Sequence, residues 1–172
     1  MRTTCAIFCL WLASSLTAGA KPNVQHPADF PSVTLVPKSS AEMDKGTVLG
    51  EIVVVNKRFR ADQMPEATAE ALRLNGWAAA SAKERERLAL LWCKEVLLWQ
   101  TPALESEPEA FKAAQHPFHT PQAKSTPRGV AVSYWVKQAD SLAGPGRHFV
   151  HFVVTFDSQG KPDAGQVETW SP

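Results

Sequence analysis

Cysteine is scarce in this sequence, with three in 172 residues. Cys5 and Cys9 lie in the first twenty residues, and removal of that segment would leave Cys93 alone and exclude an intrachain disulfide. An excess of one charge is also lacking, because 18 Lys and Arg face 17 Asp and Glu. Loss of Arg2 with the first twenty residues would balance the two signs. The sequence therefore offers no electrostatic footprint for nucleic acid or for an anionic membrane.

The motifs that usually mark an enzyme are missing as well. The sequence contains no glycine-rich phosphate loop, no serine-nucleophile elbow and no paired CxxC motif. Cys93 lies in the run Leu-Trp-Cys-Lys of an apolar helix pattern, where we expect a small buried side chain and not an accessible nucleophile. We therefore assign no catalytic residue, no metal ligand and no cofactor from the motifs.

Residues 1–20 have the organisation of a cleavable secretory signal. Arg2 supplies a positive charge, Cys5 to Leu12 is an unbroken apolar run, and Ala18-Gly19-Ala20 provides the small side chains that a signal peptidase accommodates. The apolar run is well short of the roughly 20 residues that a membrane-spanning helix needs. We expect cleavage after Ala20 and export to the periplasm or the extracellular space, with no membrane attachment afterwards.

Residues 21–46 are rich in proline, which disfavours both helices and central strands. We interpret them as an extended or disordered leader, with the exception that Val33, Leu35 and Val36 could form a short strand. Residues 47–172 are then expected to form a single α+β domain. The processed chain, at about 150 residues, is long enough for one hydrophobic core.

Two main helices are predicted in the first half of this domain. The first should begin near residue 62 and end at Asn75-Gly76, because glycine suits a left-handed residue after a helix. The second should begin at Ser81, which forms a capping box with Glu84, and continue through the apolar run 88–99 to Pro102. A shorter helix over about 107–115 is expected within a proline-rich, otherwise irregular connection, residues 101–128.

Strand patterns precede and follow the helices. A β-branched run in 47–57 predicts the first strand, and residues 129–138, 147–157 and 166–170 predict an antiparallel meander. The predicted fold class is α+β, with the two main helices packed on one face of an antiparallel sheet of about four strands. The expected order is strand-helix-helix-strand-strand-strand, with the 47–57 strand added to the same sheet.

The two faces of the meander differ in an unusual way. Alternate residues predict an almost wholly apolar inner face against the helices, made of Val130, Val132, Tyr134, Val136, Val150, Phe152, Val154 and Phe156. The outer face should carry Trp135, Phe149 and His151, with Glu168 and Trp170 joining them if the last strand has the matching register. Aromatic rings on an outer face suggest a recognition surface. The alternatives are that the leader, the 101–128 connection or a symmetric homodimer covers it.

The histidines provide the main alternative function. His148 and His151 are three residues apart in a strand, so they point to opposite faces and cannot jointly chelate a metal without a bulge. His116 and His119 lie in the proline-rich connection, which could bring them to His151.

The sequence thus favours an exported, non-enzymatic module that binds a protein or small ligand through Trp135, Phe149, His151 and Trp170 or through the proline-rich loop. The alternative is a small exported enzyme or metal-dependent protein that uses His116, His119 and His151. Three histidines gathered in one pocket would favour this alternative, and an open aromatic face would favour binding.

Overall fold

The computed structural model describes residues 24–38, 49–98, 103–138 and 148–171. The proposed signal, residues 21–23 and 39–46 of the leader and the predicted helix end at Pro102 lie outside these ranges. The chain is α+β, as predicted, but its strands form two antiparallel sheets in place of one. Among the described residues, no helix has the length and hydrophobicity to cross a bilayer.

The first sheet contains three strands in the order β1-β2-β3: β1 (Val33–Pro37), β2 (Leu49–Val54) and β3 (Lys57–Arg60). The prediction that the 47–57 strand joins the C-terminal meander was therefore wrong, since β2 pairs with β1 and β3. Part of the supposed leader belongs to the fold, because Phe30, Val33 and Leu35 are fully buried. Pro37 is tolerated because it is the last residue of β1, where a missing ladder donor costs little.

The first helix begins and ends, and the second helix begins, much as their sequence signals indicate. α1 (Met64–Leu74) follows a 3₁₀ turn at Ala61–Gln63 and ends in a Schellman motif, with Gly76 at φ +82°. α2 (Ala82–Trp92) continues into a π-helical turn, Cys93–Leu97. Ser81 Oγ accepts a hydrogen bond from the Glu84 N–H at 3.2 Å, which is one half of the predicted capping box. α3 (Glu109–Ala114) is the short helix expected in the connection.

The second sheet is a four-stranded meander in the order β4-β5-β6-β7: β4 (Gln122–Thr126), β5 (Gly129–Gln138), β6 (His148–Phe156) and β7 (Pro162–Trp170). β4 falls in the connection that was predicted to be irregular, and an isolated bridge between Ala103 and Val136 adds pairing to the same side of β5. β7 carries a bulge, because His151 pairs with Glu168 whereas Phe152 pairs with Gln166.

One hydrophobic cluster includes residues of both sheets, α1 and α2. It contains the predicted inner face of β5 and β6, of which Phe152 is only partly buried. Phe30 meets Trp92 edge-on at 5.0 Å between ring centroids, which ties the leader residues to the core helix. Burial also raises the pKa of the Cys93 thiol, in agreement with a structural role for that residue.

Candidate functional site

The outer face of the second sheet is covered by the chain itself. Trp135 is 2% exposed and Phe149 3%, so the expectation of an open aromatic face is corrected for these two residues. The cover comes from the connection, residues 104–120, which we call the covering segment. Its α3 residue Phe111 is fully buried in a second hydrophobic cluster with Trp135 and Phe149. Among the three predicted alternatives to a free surface, the structure shows cover by the 101–128 connection.

Phe111 is the centre of this second cluster. Its ring centroid lies 5.1 Å from that of Trp135, 4.8 Å from Phe149 and 4.5 Å from Trp170. The first two pairs are edge-to-face, the geometry that the ring quadrupoles favour. The Leu104 N–H also donates to the Trp135 carbonyl at 2.8 Å, which anchors the start of the covering segment to β5. Packing thus fixes this segment on the sheet.

Three polar atoms converge where the end of the covering segment meets the sheet. His119 Nε2 lies 3.1 Å from His151 Nε2, and Ser133 Oγ lies 3.0 Å from the first and 2.7 Å from the second. We call these three residues the polar triangle. His119 comes from the covering segment, Ser133 from β5 and His151 from β6, and all three side chains are half-buried. The site joins three separate parts of the chain.

One tautomer of each imidazole satisfies the hydrogen bonds of the triangle. His119 Nδ1 lies 2.9 Å from the Thr120 carbonyl oxygen, so Nδ1 carries the proton and Nε2 presents a lone pair. The Ser133 hydroxyl then donates to His119 Nε2 and accepts from a protonated His151 Nε2. One proton therefore lies between Ser133 Oγ and His119 Nε2, and one lies between Ser133 Oγ and His151 Nε2.

His151 has a depressed basicity in this environment. Burial lowers its pKa, the neighbouring His119 lowers it further, and Glu168 partly opposes both effects. Its ring is stacked on Trp135, with centroids 4.8 Å apart and planes 17° from parallel. The lowered pKa favours the uncharged form of the His151 imidazole.

His116 belongs to a neighbouring contact and not to the triangle. Its Nε2 lies 3.0 Å from Glu168 Oε1, and its ring centroid lies 4.5 Å from that of Trp170. Of the three histidines in the alternative hypothesis, the structure therefore brings His119 and His151 into contact and places His116 against Glu168. His148 instead contacts the Ser171 hydroxyl.

Sequence reasoning missed Ser133 as a functional candidate, although strand alternation places it on the same face as Trp135. The register provides the signal, since Ser133 pairs with Val153, two residues along β6 from His151 on the same face. Within the part of the chain that the structure describes, no cluster of three or more His, Cys, Asp or Glu residues is arranged to hold a metal ion. The triangle contains only two residues of these types, because its third member is a serine.

Comparison with known proteins identifies no relative: no family model, no curated protein and no solved structure matches this chain. Only the geometry of the site therefore indicates a function.

Proposed function

We propose that this protein is an exported, non-enzymatic binding module whose ligand site is the polar triangle at the seam between the covering segment and the aromatic sheet face. The observation that carries this proposal is the convergence of His119, Ser133 and His151 within 3.1 Å. It combines the two surfaces favoured by the sequence, because His119 lies in the proline-rich connection and His151 lies on the aromatic face.

Packing alone does not account for the triangle. Phe111 and its aromatic neighbours already seal the adjoining part of the face, and partial burial of two imidazoles and a hydroxyl carries a desolvation cost. The exposed Glu168 pairs with His151, and the ring of Trp135 is stacked on the His151 imidazole. An aromatic ring next to convergent polar groups is typical of a site for a small ligand or a protein side chain. A symmetric homodimer would be a second way to use this seam.

An enzyme is the weaker alternative. Ser133 Oγ and His151 Nε2 are at the distance of a nucleophile and its base, and this observation favours catalysis. However, β5 is a central strand paired with both β4 and β6, so the ladder engages the backbone N–H groups near Ser133 that an oxyanion would need. Cys93, the other candidate nucleophile, is 1% exposed. The arrangement supports binding better than acyl transfer.

Two experiments test the proposal. Export predicts that the protein recovered from the periplasm or culture medium begins at Lys21, as read by N-terminal sequencing; an intact chain retained in the cytoplasm would contradict it.

Binding predicts that the immobilised protein enriches a ligand or partner from an extract of that periplasm or culture medium, and mass spectrometry would identify what is enriched. The H119A/H151A double variant should lose this enrichment, and the H26A variant, altered at an exposed histidine beside Thr34, should retain it. Equal enrichment by all three proteins would refute the proposed site.

A further inference from the structure

We propose that the polar triangle binds one late divalent transition-metal ion, such as Cu²⁺ or Zn²⁺. The ligands would be Nε2 of His119, Nε2 of His151 and Oγ of Ser133, with solvent completing the coordination. This inference rests on the proposed binding function and names its ligand class. It also revises the expectations from the sequence, which assigned no metal ligand from the motifs and, in the metal-dependent alternative, named His116 where the structure places Ser133.

The spacing of the three atoms agrees with a metal donor set. Nitrogen ligands of a tetrahedral zinc ion, each about 2.0–2.1 Å from the metal, are separated from one another by about 3.3 Å. The edges of the triangle are 2.7, 3.0 and 3.1 Å, so the atoms would need to move apart by about 0.2–0.6 Å to reach that separation. Small rotations of half-buried side chains provide that movement. A metal would replace the hydrogen bonds of the triangle without rearranging the sheet.

The orientation of the imidazoles favours coordination. The bond from His119 Nδ1 to the Thr120 carbonyl fixes the tautomer that directs the Nε2 lone pair toward the triangle. Metal-binding histidines commonly donate their second ring N–H to a backbone carbonyl in this way. His151 is held by its stacking on Trp135, so its Nε2 is also directed by the fold. Binding requires the other tautomer of His151, in which the proton has moved to Nδ1 and Nε2 presents its lone pair.

The chemistry of the ligands selects the class of ion. Imidazole nitrogens suit Zn²⁺, Cu²⁺ and Ni²⁺, whereas Ca²⁺ and Mg²⁺ prefer oxygen donors. Cu²⁺ should bind more tightly than Zn²⁺ at a site of this kind, following the Irving–Williams order. Glu168 pairs with His151 across β6 and β7 and adds a negative charge near the site. That charge would favour a dication over neutral ligands.

The test is a metal titration of the full, tag-free protein after treatment with a chelator. Isothermal titration calorimetry with Cu²⁺ and with Zn²⁺ should give one ion per chain, with Cu²⁺ the tighter. Electron paramagnetic resonance of the Cu²⁺ form should show coupling to two imidazole nitrogens. H119A and H151A should each weaken binding at least about tenfold, and S133A should weaken it less. H26A is the matched control and should bind like the wild type.

Two results would overturn the inference: no binding of either ion by the wild type, or unchanged binding by the H119A/H151A variant. Circular dichroism will show whether each variant is folded. If a variant is not, ¹⁵N spectra of the wild-type imidazoles decide, because Zn²⁺ must shift Nε2 of His119 and His151 and leave His26 unmoved. If the wild type binds neither ion but still enriches a ligand that the H119A/H151A variant does not, the metal-binding proposal is refuted and the binding function is not. Loss of both would refute the proposed function as well.

Discussion

Phe111 is the residue on which the cover of the aromatic face depends most. Its side chain is fully buried and contacts Trp135, Phe149 and Trp170 at ring-centroid distances of 4.5–5.1 Å. Replacement of a buried phenylalanine by alanine typically costs about 3–5 kcal/mol, because apolar burial is lost and a cavity remains. A chain of this length is stabilised by about 5–15 kcal/mol in total. We therefore expect F111A to lose a large fraction of its free energy of unfolding.

Urea unfolding followed by far-ultraviolet circular dichroism and by tryptophan fluorescence will measure this loss. The matched control is A113S, which changes an exposed residue of the same helix and should shift the free energy of unfolding by no more than about 0.5 kcal/mol. The fluorescence of F111A should also shift to the red, because Trp135 gains access to water. If F111A loses no more free energy of unfolding than A113S, the covering segment does not seal the sheet. The packing of that segment on the outer face, on which the candidate site depends, would then be refuted.

Three further predictions concern other parts of the fold. Val55 has a φ of +56° in the β2–β3 turn, which strains a β-branched residue. V55G should therefore raise the free energy of unfolding by about 1 kcal/mol, as measured in thermal melts. V55A keeps its Cβ and should gain little stability. G129A should lower stability by about 1–3 kcal/mol in urea, since its Cβ would overlap a backbone carbonyl of β6 at a φ of +132°; wild-type stability would contradict this. The bonds to Arg73 and Lys57 lower the pKa of Glu70 to about 2. The difference in free energy of unfolding between wild type and E70Q should therefore be present above pH 4.5 and shrink toward pH 2. A difference that stays constant over this range would contradict the ion pairs of Glu70.

The faces of the meander could be predicted from the sequence because strand periodicity is strict. Val130, Val132 and Val154 lie in the main core, and Trp135 and Phe149 lie on the opposite face. Which of the possible covers packs on that opposite face could not be predicted, because the prolines of the connection indicate irregular structure without indicating where it packs. The aromatic rings were correctly identified as unusual. Their explanation is a second, smaller core.

The division into two sheets was missed for a physical reason. The apolar run of β2 is compatible with any covered position, so it does not select its neighbours. β1 lies between prolines that suggested a leader, and its inward residues Val33 and Leu35 were too few to outweigh them. β4 has no β-branched or aromatic alternation in Gln-Ala-Lys-Ser-Thr, and most of it is exposed at the edge of the sheet. Strands that are short or at an edge carry a weak sequence signal.

The bulge in β7 explains how Glu168 and Trp170 come to the site, which the sequence left open. Pro162 pairs with the inner-face residue Phe156, so unbroken pairing would keep every second residue of β7, including 168 and 170, on the inner face. One extra residue, Val167, reverses that phase, and Glu168 then pairs with His151 and Trp170 with Phe149 on the outer face. Val167 is 59% exposed, so its own packing does not explain the bulge. The irregularity instead places the Glu168 carboxylate opposite His151 and the Trp170 indole opposite Phe149, so the negative charge beside the polar triangle depends on it.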